Sequence, residues 1–357
     1  MDGIRGLTSP LWPIRYKPLP DELLSSWLVR LTNGHGLKVQ TFCNLLFGNR
    51  LQVWNRDIDR LAPAWLLDTL VLHTGTPAAI AYATTLKIYE GVLFQAPRTS
   101  GHLPWIQSLM IYHRTRAGFG QQFCPACLAE GGAPYYRKTW RLAIKTMCVR
   151  HHCMLLDRCP NCAAPVAFFR MDMGRDADDA QGDALAACYR CAFDLATAMR
   201  VDPPVCELEA FANLWHIIKA LDEFSNGRCA QIDADELAVL RHLVMLMLSR
   251  RRHVQLRAYL AETFGVADPV TEITKRTAFE SLPVDVRHVL LQWGAWLLNE
   301  PKSRLGDAVR RGGILYNHLL RDFEAAPRWY SDLLMVSIRP KRRVQTVIAT
   351  SNRSSGS

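Results

Sequence analysis

The sequence predicts a mainly α-helical chain with a compact cysteine-rich module at its middle. Two observations carry that prediction. Apolar residues recur at helical spacing on both sides of the centre, and eight of the 11 cysteines fall between Cys124 and Cys191. The composition, 49% hydrophobic and 21% charged over 357 residues, is that of a globular protein able to bury two or three domain cores.

The first predicted element follows a Pro-rich lead, "PLWPIRYKPLP". In "DELLSSWLVRLTNGHG", Leu24, Trp27, Leu28 and Leu31 form an i, i+3, i+4, i+7 stripe. Asp21 is placed to cap it through the free N–H groups of the first turn, and Gly34 and Gly36 stop it. A second stripe, Val39, Phe42, Leu45 and Leu46, follows in "LKVQTFCNLLFG". Two amphipathic helices joined by so short a turn fit either a helix-turn-helix or a plain αα-hairpin. The helical pattern continues over 61–113, interrupted at Pro77, Pro97 and Pro104.

The acidic, small-residue stretch from Met171 to Asp183 is a predicted loop. After "DPP" at 202–204 the chain returns to helix. "DELAVLRHLVMLMLSRRR" places Leu237, Leu240, Val244 and Met247 on one face. Further helices are expected in "VDVRHVLLQWGAWLLNE" and "LYNHLLRDF". The expected organisation is an N-terminal helical, helix-turn-helix domain over 1–115 and a cysteine-rich module over 116–200. A C-terminal helical domain with a basic tail follows over 201–357.

No apolar run approaches the ~18 residues of a membrane span, and "MDGIRGLTSP" lacks the apolar core of a signal peptide. A cytoplasmic protein without membrane attachment is expected. In that reducing compartment a cysteine framework reads as metal-binding before it reads as disulfides.

The spacing supports this. Four ligand-x-x-ligand turns occur in order: "CPAC", "CVRH", "CPNC" and "CYRC", with 20 residues between the first two and 25 between the last two. Each turn brings two donors onto one ion, and two turns close a tetrahedron around zinc with no position left for water. The structural sites predicted are Cys124, Cys127, Cys148 and His151, then Cys159, Cys162, Cys188 and Cys191, for two Zn²⁺ per chain and a tandem zinc ribbon. A cross-braced pairing uses the same ligands, and His152 is an alternative to His151. His152 and Cys153 are otherwise left over. Cys43, Cys206 and Cys229 have no neighbour at ligand spacing and read as small core residues. Beside the first site, Pro134, Tyr135, Tyr136, Arg137 and Trp140 either stack on nucleobases or form the small core that a ribbon needs.

Net charge is +10, and from Arg250 onward 18 Lys and Arg oppose 10 Asp and Glu. Arg250, Arg251, Arg252, Arg310, Arg311, Lys341, Arg342 and Arg343 are therefore candidate nucleic-acid or partner contacts. The arginine triplet equally complements the dipole at a helix C-terminus. Walker A, H-E-x-x-H and G-x-S-x-G signatures are absent, so no catalytic site is predicted and the protein is expected not to be an enzyme. A zinc-ribbon nuclease with dispersed carboxylates is the competing enzymatic reading.

Taken together, "LPDELLSSWLVRL", "FCPACLAEGGAPYYRKTWRL" and "CVRHHCMLLDRCPNC" resemble the TniQ/TnsD family of transposon target-selection proteins. The motif runs as CPxCL, PYxRxxWRL and CxxHxxxLLxxCPxC over 124–162. "LAEGGAPY" departs from the acidic residue the family often carries before its proline. The resemblance implies a non-catalytic adaptor in DNA transposition and, through "ESLPVDVRHVLLQWGAWL", a second helix-turn-helix in the C-terminal domain. Such an adaptor links a target to a AAA+ regulator (TnsC or TniB type) and through it to the transposase. Larger relatives read target DNA directly; shorter ones, which this chain resembles in length, ride on a CRISPR RNA-guided Cascade complex, often as a homodimer. A sequence-specific zinc-ribbon or helix-turn-helix DNA-binding protein is the alternative.

Overall fold

The computed structural model describes residues 10–48, 53–110, 118–171, 185–250, 255–274, 277–321, 323 and 325–338. Among them the fold is mainly helical, with one two-stranded antiparallel sheet near the middle of the chain. No helix among the described residues is long and apolar enough to cross a membrane.

Helix α1 (Leu24–Gly34) uses its predicted stripe. Leu24, Trp27, Leu28 and Leu31 pack with Trp12, α2 (Val39–Phe47), α3 (Ile58–Leu61) and α4 (Ala64–Thr74). Its opposite face is buried too: Val29 packs in the core of the cysteine-rich module, Ser26 Oγ accepts from Tyr136 N at 2.9 Å, and Arg30 pairs with Glu22 at 2.7 Å. The expected cap is not there. Asp21 has φ +59°, an uncommon conformation for a non-glycine residue, and does not bond the first turn. Its carboxylate instead accepts from Thr139 Oγ1 at 2.6 Å and from Ser225 Oγ, with Lys138 Nζ at 3.4 Å. The start of α1 is served from α3: Asp59 accepts from Ser25 N at 2.7 Å and Ser25 Oγ at 2.9 Å. In α2 the buried face is Val39, Phe42 and Cys43, while Leu45, expected on it, is 44% exposed.

After α5 (Ala78–Tyr82) and a 3₁₀ turn at Leu86–Tyr89, no α-helix lies in 90–110, where the sequence predicted one. The segment is irregular because its apolar residues meet distant helices, with no helical stripe of their own to bury. Leu86, Tyr89, Leu93, Phe94, Leu103 and Trp105 share one core with the C-terminal helices. Trp105 packs edge-on against Phe279, and its backbone N–H donates to Glu280 Oε1 at 3.1 Å.

Those helices are α7 (Leu208–Ser225), α8 (Ala234–Met247), α9 (Leu256–Phe264), α10 (Val284–Asn299), α11 (Pro301–Arg311), α12 (Tyr316–Leu320) and α13 (Arg328–Ser337). The stripe Leu237, Leu240, Val244 and Met247 is buried as predicted. Helix α10 packs on α7 and α8. Gly294 permits the closest approach: a Cβ there would lie 2.6 Å from Leu240 Cδ1.

Two buried arginines tie these parts to the centre. Arg141 pairs with Asp57 at 2.6 Å and Asp59 at 3.2 Å. Burial in company with Asp57 pushes the Asp59 carboxyl up to about 7, against the pull of Arg141. Arg287 of α10 donates to the carbonyls of Ala143 and Leu282 and to the side chains of Gln107 and Gln122. Neutral acceptors do not repay the desolvation of its charge, so burial lowers its pKa to about 10.

Candidate metal centre

The first knuckle, "CPAC", folds as the short helix α6 (Pro125–Ala129), with Cys124 at its N-cap and Pro125 in the first turn, where no N–H is needed. The second knuckle turns between β1 (Met147–Cys148) and β2 (Cys153–Met154), paired Met147↔Met154 and Cys148↔Cys153. His152 occupies the turn with φ +52° and lays its ring 4.8 Å from Trp215 of α7. The surplus histidine thus has a structural place.

These elements bring Cys124, Cys127, Cys148 and His151 together, with all donor atoms within 4.8 Å of one another. The Cys127–Cys148 sulfurs are 3.7 Å apart, and His151 Nδ1 lies 3.5, 3.3 and 3.5 Å from the sulfurs of Cys124, Cys127 and Cys148. A tetrahedron with Zn–S bonds of ~2.3 Å and Zn–N of ~2.05 Å has edges of about 3.8 Å (S···S) and 3.5 Å (S···N). The donor set fits.

Cys159, Cys162, Cys188 and Cys191 form the second cluster, with Cys159–Cys191 at 3.6 Å and Cys162–Cys188 at 3.7 Å. Its two knuckles are near copies. Cys159 N donates to Ala164 O and Cys188 N to Phe193 O, while Ala163 N and Ala192 N return to Cys159 O and Cys188 O, all at 2.8–2.9 Å. Ala163 and Ala192 take φ +56° and +61°, the left-handed step that closes each turn. The knuckles pair first with second and third with fourth, the sequential arrangement.

Electrostatics point the same way. Hydrogen bonds from the Cys124 and Cys127 sulfurs drive the Cys148 thiol down, whereas its sulfur neighbours drive Cys124 up. Several thiolates at such spacing repel one another, and a dication among them removes the conflict.

One residue that the spacing did not reveal is Glu130. Its Oε1 lies 2.8 Å from His151 Nε2, and its other oxygen holds Arg150 at 2.7 Å. With Nδ1 facing the sulfurs, Nε2 carries the proton and donates it to Glu130, which orients the ring. The signal available in the sequence was a carboxylate three residues beyond Cys127. Cys153 is buried with Sγ 3.7 Å from Cys124 Sγ, but it is not in the four-donor set. The aromatics are core: Tyr136 stacks on Phe168 at 4.2 Å and meets Trp140 edge-on. Tyr135 alone of them is only half-buried. Of the unpaired cysteines, Cys43 is buried, Cys206 is half-buried, and Cys229, expected in the core, is exposed.

Among the candidate basic contacts, Arg250 is exposed just beyond α8. Arg310 bonds Asp307, and Arg311 lies 3.4 Å from Glu262 and over the ring of Tyr259. Arg251, Arg252, Lys341, Arg342 and Arg343 lie outside the described residues, as does most of the predicted acidic loop.

No curated protein matches the chain. The TniQ family model matches residues 13–155, from the lead into α1 through the second knuckle, so the match contains the whole first cluster and ends before the second. The first helices, the motif run and the first four-residue cluster thus lie within the part of the chain that matches the TniQ family model.

Proposed function

We propose that this protein is a non-catalytic, zinc-scaffolded adaptor that links a chosen target to the AAA+ regulator of a transposition system and so to its transposase. The observation that carries the proposal is the TniQ match over 13–155 with a complete donor set inside it. In this reading Cys124, Cys127, Cys148 and His151 hold one zinc, and Cys159, Cys162, Cys188 and Cys191 hold another. Both shells are closed by protein donors, so the ions supply rigidity and no reactive water. Zinc of this kind contributes roughly 10–16 kcal/mol at neutral pH, comparable to the ~5–15 kcal/mol stability of a domain. The division into units over 1–115, 116–200 and 201–357 is part of the same proposal.

The target is DNA itself or an RNA-guided Cascade complex, and the adaptor acts as a homodimer. Purified protein should carry two zinc equivalents per chain. It should capture a AAA+ regulator of the TnsC or TniB type, and transposition should be lost when a first-site cysteine is replaced. Fully folded protein with no zinc, or a regulator that never binds, would sink the proposal. Metal-dependent DNA cleavage abolished by one carboxylate substitution would favour the nuclease reading instead.

A further inference from the structure

A cleft of about 470 Å³ separates the first cysteine–histidine cluster from the C-terminal half of α7. That volume is within the ~300–1,000 Å³ typical of ligand sites. One wall is the half-buried pair Tyr135 and Arg137, and the other is the α7 face bearing Lys219, Asp222 and Glu223, continued by Arg228.

The charges around this cleft do not cancel. Lys145 is committed to Asp222, Arg150 to Glu130, and Asp21 to Lys138, Thr139 and Ser225. Lys219 and Arg228 are exposed, and no ion pair joins either to a carboxylate among the described residues. Arg137 is likewise without a carboxylate bond: its Nη1 donates to Tyr135 OH at 2.6 Å, and the guanidinium reaches Cys127. With Arg137 set against the single negative charge that three thiolates leave on a first-site zinc, Lys219 and Arg228 face one uncommitted acid, Glu223. The Arg137 guanidinium also lies 4.7 Å from the centroid of the Tyr135 ring.

We propose that this cleft binds a nucleic-acid strand, with Lys219 and Arg228 on successive phosphates and a base stacked on the Tyr135–Arg137 pair. Lys219, Asp222 and Glu223 share one face of α7, and Arg228 follows the turn that ends the helix, its N–H donating to the Glu223 carbonyl at 3.0 Å. Cations placed at two separate points along one wall suit a polyanion better than a single phosphate. An aromatic ring with an arginine against it suits a base better than an acidic peptide side chain. The partners expected from sequence behave differently, since Arg310 and Arg311 already face acids. This inference rests on the reading of the protein as a target-selection adaptor and names a surface for the nucleic acid it handles.

The test is fluorescence anisotropy of the full, zinc-loaded chain with a labelled single-stranded oligonucleotide over a salt series. Lys219→Ala/Arg228→Ala should lower the log–log salt slope by about 1.4. Tyr135→Leu should weaken binding roughly 5- to 30-fold at one salt concentration, with Tyr135→Phe close to wild type. Arg310→Ala/Arg311→Ala should leave both quantities unchanged. Zinc content and capture of the AAA+ regulator are measured on every variant. Unaltered slope and affinity in the cleft variants, with zinc and regulator capture intact, would overturn the cleft and leave the adaptor reading standing. Polyglutamate competing as well as the oligonucleotide would overturn it too. Wild-type protein that never captures the regulator would instead count against the adaptor.

Discussion

His288 links α10 to the cysteine-rich module, and its surroundings predict how stability depends on pH. The ring is buried, with Nδ1 2.8 Å from Thr146 Oγ1 and Nε2 3.1 Å from the Pro204 carbonyl. A carbonyl only accepts, so Nε2 carries the proton, and Nδ1 accepts from the threonine hydroxyl. Burial disfavours the imidazolium and lowers the pKa from 6.5 to about 4, the Pro204 carbonyl opposing only part of the shift. A depressed histidine stays neutral in the folded chain while its unfolded counterpart takes up a proton. Between about pH 6.5 and 4 the unfolded state therefore binds more protons, and stability falls as pH falls through that window. At pH 5 the linkage amounts to about 2 kcal/mol, with a ceiling of roughly 3 kcal/mol below pH 4. His288→Gln removes the titration and keeps an amide donor for Pro204. Urea unfolding followed by tryptophan fluorescence at pH 7 and pH 5 compares the two proteins. Acid loss of zinc is common to both and drops out of the difference. Wild type should lose about 2 kcal/mol more than the variant between the two pH values. Equal losses would refute the reasoning.

Glu130→Gln should weaken zinc retention at the first site by about 10-fold or more in a chelator competition, because the ring of His151 loses its charged anchor. Second-site retention should be unchanged. Cys153→Ser should leave two zinc equivalents per chain by elemental analysis, whereas Cys148→Ser should remove one. Arg141→Ala should destabilise the fold by about 3–5 kcal/mol in chemical denaturation, since Asp57 and Asp59 would be left as buried, unpaired carboxylates.

The two four-residue clusters and the long C-terminal helices were legible because their signals are local: Cys and His spacing in the first case, 3.6-residue periodicity in the second. What escaped depends on partners far along the chain. Asp21 reads as a helix cap from its neighbours, but Thr139 and Ser225 claim its carboxylate. Asp59, which serves the start of α1, sits 34 residues downstream of Ser25. Residues 90–110 carry enough apolar side chains to suggest helix, and their burial partners lie at 142–154 and beyond residue 210. Ala163 and Ala192 gave no hint of positive φ, since glycine is the usual marker for that conformation. Leu45 fell off the α2 face because Cys43 took the buried position.

The bond between Trp105 and Glu280 also has a meaning in time. The two residues are 175 positions apart. At a synthesis rate of ~5–20 residues per second, Trp105 leaves the ribosome roughly 9–35 s before its partner. During that interval Leu93, Phe94, Leu103 and Trp105 have no C-terminal helices to cover them, although the first four zinc donors soon follow. The first four-residue cluster is therefore synthesised while the apolar segment just upstream still lacks its C-terminal cover, a state that lasts until α10 arrives.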